Sequence, residues 1–188
     1  MNKIGYMGIP GSFSEIAAQE LTLQAGFTDV SYHPLICAQN ILKELECGAI
    51  DYGVLAVENS SAGPVKEFVE TFDSVDYEHL KTLVLPIHHC LFKRSADIPD
   101  EHLTVAASHP QALAQTRNTR AARFKTLAEQ EIEDTAIGAE WLSKGLLPDT
   151  TAVICSKGAG QSWNLHLIAE NIEDSDTNRT TFWLLRLK

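Results

Sequence analysis

Several large protein classes are excluded by what this sequence lacks. No stretch reaches the roughly 18 consecutive apolar residues that a membrane-spanning helix needs. The opening Met1-Asn2-Lys3-Ile4-Gly5-Tyr6 leads straight into strand-like residues without a long apolar signal-peptide core, so a cytoplasmic location is expected. The four cysteines, Cys37, Cys47, Cys90 and Cys155, form no C-x-x-C pair, which removes the usual zinc and thioredoxin-like spacings and predicts reduced thiols. Positive charge is scarce: 15 Lys plus Arg stand against 25 Asp plus Glu, a net charge of −10. A chain of that sign repels phosphate backbones, so nucleic acid is not an expected partner. Repeats and low-complexity tracts are also missing.

What remains is a globular composition. With 188 residues, 44% hydrophobic and 21% charged, the chain suits one domain or two small lobes and is too apolar to be disordered. Short apolar runs alternate with amphipathic stretches, the mark of an α/β fold. Strands are expected at 3–7, 30–32, 52–57, 103–107, 124–127, 151–155 and 179–187. Helices are expected from Ser12 or Ser14 to about Ala25, over 38–47, from Val65 through Phe72, after Ser108, over 135–144 and from Ser156. A long apolar segment, 80–91, is broken by Pro86 and suits a strand crossing between lobes. A last strand returning to the first lobe makes that lobe discontinuous, 1–82 with 156–188 around 83–155.

Three strands end at polar turns that lead into helices: Gly8-Ile9-Pro10-Gly11-Ser12, Glu58-Asn59-Ser60-Ser61-Ala62-Gly63 and Ser108-His109-Pro110-Gln111. Ligands of open α/β sheets sit beyond the carboxyl ends of strands, and helix N-termini attract anions. Asn59, Ser60 and Ser61 are therefore expected to face an anion, although a plain helix cap uses the same residue types. Ser108 has the same two readings. Gln111 and Gln115, four residues apart, share a helix face. His88 and Cys90 alternate in direction with His89 along a strand and have no acidic neighbour in sequence, which favours packing over a metal or nucleophile.

These segments, together with Asp51-Tyr52-Gly53-Val54, His89-Cys90-Leu91, Asp134-Thr135-Ala136 and Asn178-Arg179-Thr180-Thr181-Phe182, stand in the order found in prephenate dehydratases, which the chain resembles over nearly its whole length. The resemblance implies a two-lobed α/β fold like a type II periplasmic binding protein, with the active site in the interlobe cleft. It implies the conversion of prephenate to phenylpyruvate with loss of carbon dioxide and hydroxide, a step of phenylalanine biosynthesis, without metal or organic cofactor. Thr180 takes the place of the essential threonine, as donor to the departing hydroxyl. Ser12, Asn59, Ser60, Ser61, Ser108, Gln111, Gln115, Thr135, Ala136 and Phe182 become expected substrate contacts, and a homodimer is the expected assembly.

Two motifs depart from the pattern. Thr-Arg-Phe is here Thr180-Thr181-Phe182, and Tyr-Gly-Leu is Trp163-Asn164-Leu165. Residues 179 and 181 of an extended strand point to the same side, so Arg179 is expected to send its guanidinium toward the region an arginine at 181 would serve. The sequence ends at Lys188, before the regulatory ACT domain that biosynthetic members usually carry, as a stand-alone form or a fragment would. Two other readings stay open: a prephenate decarboxylase that does not aromatise, and a non-catalytic module binding small carboxylates.

Overall fold

The computed structural model describes residues 1–124 and 127–188. Its backbone forms two α/β lobes, residues 1–87 with 177–188 and residues 88–176. In the first lobe the chain passes through β1 (Asn2–Tyr6), α1 (Phe13–Gln24), β2 (Val30–Pro34), α2 (Ala38–Glu46), β3 (Tyr52–Asn59), β4 (Gly63–Pro64), α3 (Lys66–Phe72) and β5 (Tyr77–Pro86). The second lobe holds β6 (Cys90–Lys93), β7 (Val105–Ser108), α4 (Pro110–Gln115), α5 (Arg117–Arg123), β8 (Ala128–Glu131), α6 (Thr135–Ser143), β9 (Thr151–Cys155), α7 (Lys157–Ser162) and β10 (His166–Ala169). Finally β11 (Arg179–Leu187) rejoins the first lobe.

The first sheet has the order β2-β1-β3-β11-β5, with β4 paired to β3. β1 is parallel to β2 and β3, the pairings that helical crossovers α1 and α2 permit, while β11 runs antiparallel between β3 and β5. Both faces of this sheet are covered. Phe182 and Leu184 pack with Ile4, Tyr6 and Val54 under Ala17, Ala18 and Leu21 of α1. Leu185 packs on the other face with Leu55, Ile41 of α2 and Phe68 of α3. A strand buried on both sides reads as a near-continuous apolar run, which is how 179–187 shows itself in sequence.

The second sheet has the order β10-β6-β9-β7-β8. β7 is parallel to β8 and β9, whereas β6 is antiparallel to β9 and β10. Here the lobe boundary departs from the sequence reading: the chain returns after Asp176, not after Cys155. The cause is β10, which pairs His166 with Lys93 and so ties 156–176 to β6. Pro86 does split the 80–91 run, into β5 and β6. The strand expected at 124–127 lies partly outside the described residues, and β8 begins at Ala128. Asn164, which replaces a glycine of the motif, adopts φ 53°. Asparagine tolerates that left-handed conformation better than most residues, so this departure is conformationally matched. Among the described residues no helix is long and apolar enough to cross a membrane.

Candidate functional site

β3 ends on Asn59, β11 begins on Arg179, and antiparallel register sets Thr180 opposite Asn59. The Asn59 side chain exploits that register. Its Nδ2 donates to Thr180 Oγ1 at 2.9 Å, Asn178 Oδ1 at 3.0 Å and the Arg179 carbonyl at 3.1 Å. Its Oδ1 accepts from the Ser61 and Ala62 amides at 3.0 and 3.1 Å. Ser60 stitches the same two segments: its amide donates to the Arg179 carbonyl at 2.9 Å, and its hydroxyl donates to the Thr177 carbonyl at 3.1 Å and accepts from the Arg179 amide at 2.9 Å. Asn59, Asn178 and Thr180 are nearly inaccessible, so their polar atoms need such partners.

The consequence for Thr180 is chemical. A hydroxyl has one hydrogen and two lone pairs. Asn59 engages a lone pair, and no acceptor for the Thr180 hydrogen occurs among the described residues. The Ser61 and Ala62 amides do not face outward at a helix start, as the sequence suggests; they are turned into Asn59 Oδ1, and β4 intervenes before α3 begins at Lys66. This is the local asparagine turn that competes with helix capping. Along β11, Arg179 is exposed, Thr180 buried and Thr181 half-buried, so 179 and 181 lie on the side away from Thr180.

Elsewhere in this lobe, Ser12 caps α1 and accepts from the Glu15 amide at 3.4 Å. Glu15 reaches back to the Gly11 amide at 2.7 Å and accepts the Tyr6 hydroxyl at 3.2 Å. Burial, reinforced by that carboxylate, pushes the Tyr6 phenol up. Gly8 is required in this turn: its φ is +153°, and a Cβ there would stand 2.5 Å from Ser12 Oγ. Phe182 is in the core under α1, so the substrate contact expected of it gives way to packing.

In the second lobe Ser108 is fully buried and donates to the Ile154 carbonyl at 2.6 Å, which commits its hydroxyl to holding β7 against β9. α4 is capped instead by His109, whose Nδ1 accepts from the Gln111 amide at 3.2 Å. Gln111 and Gln115 follow on that helix, both half-buried. Gln115 Oε1 lies 3.0 Å from Nε2 of the buried His89. Burial lowers the His89 pKa, against the opposing pulls of Gln115 and Glu173, so the neutral ring is favoured.

The histidines do have acidic company. Glu173 Oε1 lies 2.6 Å from His88 Nδ1, and Oε2 accepts the His89 amide at 2.9 Å. Burial alone would raise the Glu173 carboxyl, but these bonds together outweigh it and hold the group below the usual range. Asp134 caps α6, accepting from the Ala136 and Ile137 amides at 2.6 and 3.4 Å. The Ala136 amide expected for a substrate carboxylate is thus already taken, and Thr135 stands half-buried beside it.

A cavity of about 480 Å³ opens at the carboxyl ends of β7 and β8, lined by His109, Pro110, Glu131, Ile132, Glu133 and Trp141. Among the described residues no cluster of His, Cys, Asp and Glu could hold a metal ion. Of the expected site residues, the fold gathers Asn59, Ser60, Ser61, Arg179 and Thr180 around one turn, while Gln111 and Gln115 share α4 and Thr135 with Ala136 opens α6. Asn178, His89 and Glu173 were not among the residues picked from sequence. Asn178 stands inside a recognisable motif, but the His89 partners lie 26 and 84 residues away and leave no local signal.

The family model described as prephenate dehydratase matches residues 4–188. A prephenate dehydratase of Lactococcus lactis subsp. cremoris is 33% identical over 186 residues, covering 97% of this chain and 63% of the relative. Arogenate dehydratase 1 of Petunia hybrida is 31% identical over 183 residues, covering 97% of this chain and 42% of the relative. The chain therefore spans 42% to 63% of the length of these two curated relatives. Among solved structures, the prephenate dehydratase of Arthrobacter aurescens in complex with L-Phe gives a TM-score of 0.83 at 23% identity, covering 99% of this chain and 60% of that one. A periplasmic substrate-binding protein of an ABC transporter from Coxiella burnetii gives 0.52 at 12% identity, covering 100% of this chain and 84% of that one. These likenesses fix the fold as the two-lobed periplasmic-binding-protein kind.

Proposed function

The chain belongs to the prephenate dehydratase family, and from that premise we propose that it converts prephenate to phenylpyruvate in the cytoplasm, as a step of L-phenylalanine biosynthesis. As the ring carboxylate leaves as carbon dioxide, its bonding pair enters the ring and the C–O bond opposite breaks, expelling hydroxide. Aromatisation drives the step, so the protein has mainly to hold the dianion and steady the departing oxygen. Thr180 is the donor to that oxygen. A threonine hydroxyl is too weak an acid to transfer a full proton unaided, and a preorganised hydrogen bond to charge as it develops is the more effective contribution.

The observation that carries this reading is the 2.9 Å bond from Asn59 Nδ2 to Thr180 Oγ1, which engages the hydroxyl as acceptor and leaves its hydrogen to donate. Ser60 and Asn178 fix the segment on which Thr180 stands. Arg179 supplies the cation that the motif has at 181. Gln111, Gln115 and Thr135 are the proposed substrate contacts of the second lobe, and the active assembly is a homodimer.

The test is incubation of the purified protein with prephenate at neutral or mildly alkaline pH, followed by product identification, with Thr180→Ala in parallel. Phenylpyruvate, and a loss of at least about a hundredfold in kcat for Thr180→Ala, support the assignment. A non-aromatic dihydro-4-hydroxyphenylpyruvate would identify a decarboxylase, a reading that the altered residue at 181 supports weakly and the retained Thr180 opposes. Tight binding of prephenate without turnover would identify a binding module. Arogenate belongs in the same assay, because one relative bears that substrate in its name.

A further inference from the structure

We propose that a second cavity, within the lobe formed by 88–176, is a binding site for a free α-amino acid with an apolar side chain. The cavity, of about 360 Å³, lies at the amino ends of β7 and β8, the opposite ends from the cavity at His109. Leu103 precedes β7 and Leu127 precedes β8, while Leu91 of β6 and Ile168 of β10 line it from the antiparallel half of the sheet. With Phe124 they make an apolar wall. Leu91 and Leu103 belong to the closed core, whereas Phe124, Leu127 and Ile168 pack on that core only in part and stay half-buried. One side of a hydrophobic cluster is thus left uncovered, in a hollow whose volume suits a small molecule.

The charged residues of the same cavity define what else the occupant carries. Asp100, Glu101 and Arg123 complete the lining, and all three are exposed. Asp100 is already neutralised by Lys93 Nζ at 2.6 Å. Among the described residues Glu101 and Arg123 have no ion pair, which sets Arg123 apart from Arg117 and Arg120 of the same helix, both held by Glu129. Arg123 Cζ lies instead 5.5 Å from the centroid of the Phe124 ring, a contact that keeps the guanidinium beside the apolar wall. One unmatched cation and one unmatched anion next to an apolar wall complement a zwitterion. The carboxylate meets Arg123, the ammonium meets Glu101, and the side chain fills the space among the leucines. A simple carboxylate would face Glu101 without a cation of its own, and a simple amine would leave Arg123 unmatched; an apolar α-amino acid satisfies both ends and the wall together.

The test titrates the full chain, carrying carbon-13 in its leucine and isoleucine methyl groups, with L-leucine, and reads methyl shifts by NMR and affinity by calorimetry. Saturable shifts should centre on the methyls of Leu91, Leu103, Leu127 and Ile168. L-Alanine, three carbons smaller, should bind about 10- to 50-fold more weakly, because each buried methylene is worth about fourfold in affinity. Isocaproate, which lacks the ammonium, and isoamylamine, which lacks the carboxylate, should each bind more weakly than L-leucine. Arg123→Gln and Glu101→Gln should each weaken L-leucine by about two- to fivefold, the scale of exposed charge pairs, with the wild-type denaturation midpoint kept. The proposal is overturned if L-leucine, L-methionine and L-tryptophan all fail to give saturable shifts, or if the shifts fall on methyls remote from this cavity. Equal affinity for isocaproate and L-leucine would overturn it too, since Glu101 would then have no part in recognition.

Discussion

Replacing Asn59 by aspartate exchanges one NH₂ group for an oxygen of nearly the same shape and tests how Thr180 is held. Oδ1 keeps the Ser61 and Ala62 amides. The new oxygen stands where a donor faced Thr180 Oγ1 at 2.9 Å, Asn178 Oδ1 at 3.0 Å and the Arg179 carbonyl at 3.1 Å. Asn178 can turn its amide and Thr180 can rotate its hydroxyl to donate, but the Arg179 carbonyl can do neither. The carboxylate therefore captures the Thr180 hydrogen, and the substrate's departing hydroxyl loses its donor. The Arg179 carbonyl keeps the Ser60 amide at 2.9 Å but loses its second donor, which should cost about 0.5 to 1.5 kcal/mol of stability, within the 5 to 15 kcal/mol typical of folded domains. Loss of one preorganised donor to developing charge is worth about 10² to 10³ in rate, or about 2.7 to 4 kcal/mol of barrier. Phenylpyruvate formation at saturating prephenate, on protein shown to be folded by circular dichroism, should thus fall by that factor. KM should move much less, since the lost interaction strengthens only as the hydroxyl departs. A folded Asn59→Asp protein with kcat within about threefold of wild type would refute the donor role of Thr180, since the usual range begins near a hundredfold.

Three further outcomes are expected. Arg179→Ala should lower turnover if that guanidinium replaces an arginine at 181, and Thr181→Arg should raise it if the replacement is incomplete; unchanged kinetics in Arg179→Ala would dismiss the compensation. Gly160→Ala would drive a Cβ into the ring of the buried Phe92, and should lower stability by about 1 to 3 kcal/mol in denaturant titration; an unshifted midpoint would show that α7 can move aside freely. Acidification should weaken the second lobe in two steps. His89 is held below its ordinary value of 6.5, so the unfolded chain takes up that proton first and stability falls as pH drops below that value. Glu173, held below 4.5, adds a loss at lower pH, as its carboxylate is protonated. Urea titrations of wild type and His89→Gln should differ in the upper step, and identical pH profiles would remove His89 as its source.

The sequence reveals elements whose own side chains bury them. β9 (Thr151–Cys155) is buried at every position, and β11 shows both faces in one apolar run, so each declares itself without reference to its partners. α5 does the opposite. Its sequence, Arg117-Asn118-Thr119-Arg120-Ala121-Ala122-Arg123, has no apolar stripe, and Arg120 is its buried residue. It is held by Arg120 to Glu129 at 2.7 Å and by the Asp174 carboxylate at its first turn, contacts made across the fold. β10 is equally silent: four residues of middling burial whose place depends on pairing with β6. That one pairing accounts for the misplaced lobe boundary.

The site was legible by residue type and not by direction, for a reason common to its turns. Asn, Ser, Thr and Asp can hold an anion or cap a backbone with the same atoms, and the choice depends on whether nearby amides already have an acceptor. At the β3 turn Asn59 Oδ1 takes the Ser61 and Ala62 amides, at α4 His109 Nδ1 takes the Gln111 amide, and at α6 Asp134 takes those of Ala136 and Ile137. Those amides are therefore committed to the protein's own acceptors. In a chain of net charge −10, the proposed recognition of a dianion then rests on side-chain groups, among them the Thr180 hydroxyl held from behind by Asn59. The residue proposed to face the ligand can be guessed from a motif, while the one that engages its lone pair lies 121 residues away in sequence. The design makes a definite demand on mutagenesis, that the supporting residue tolerate only replacements preserving a donor at the same atom.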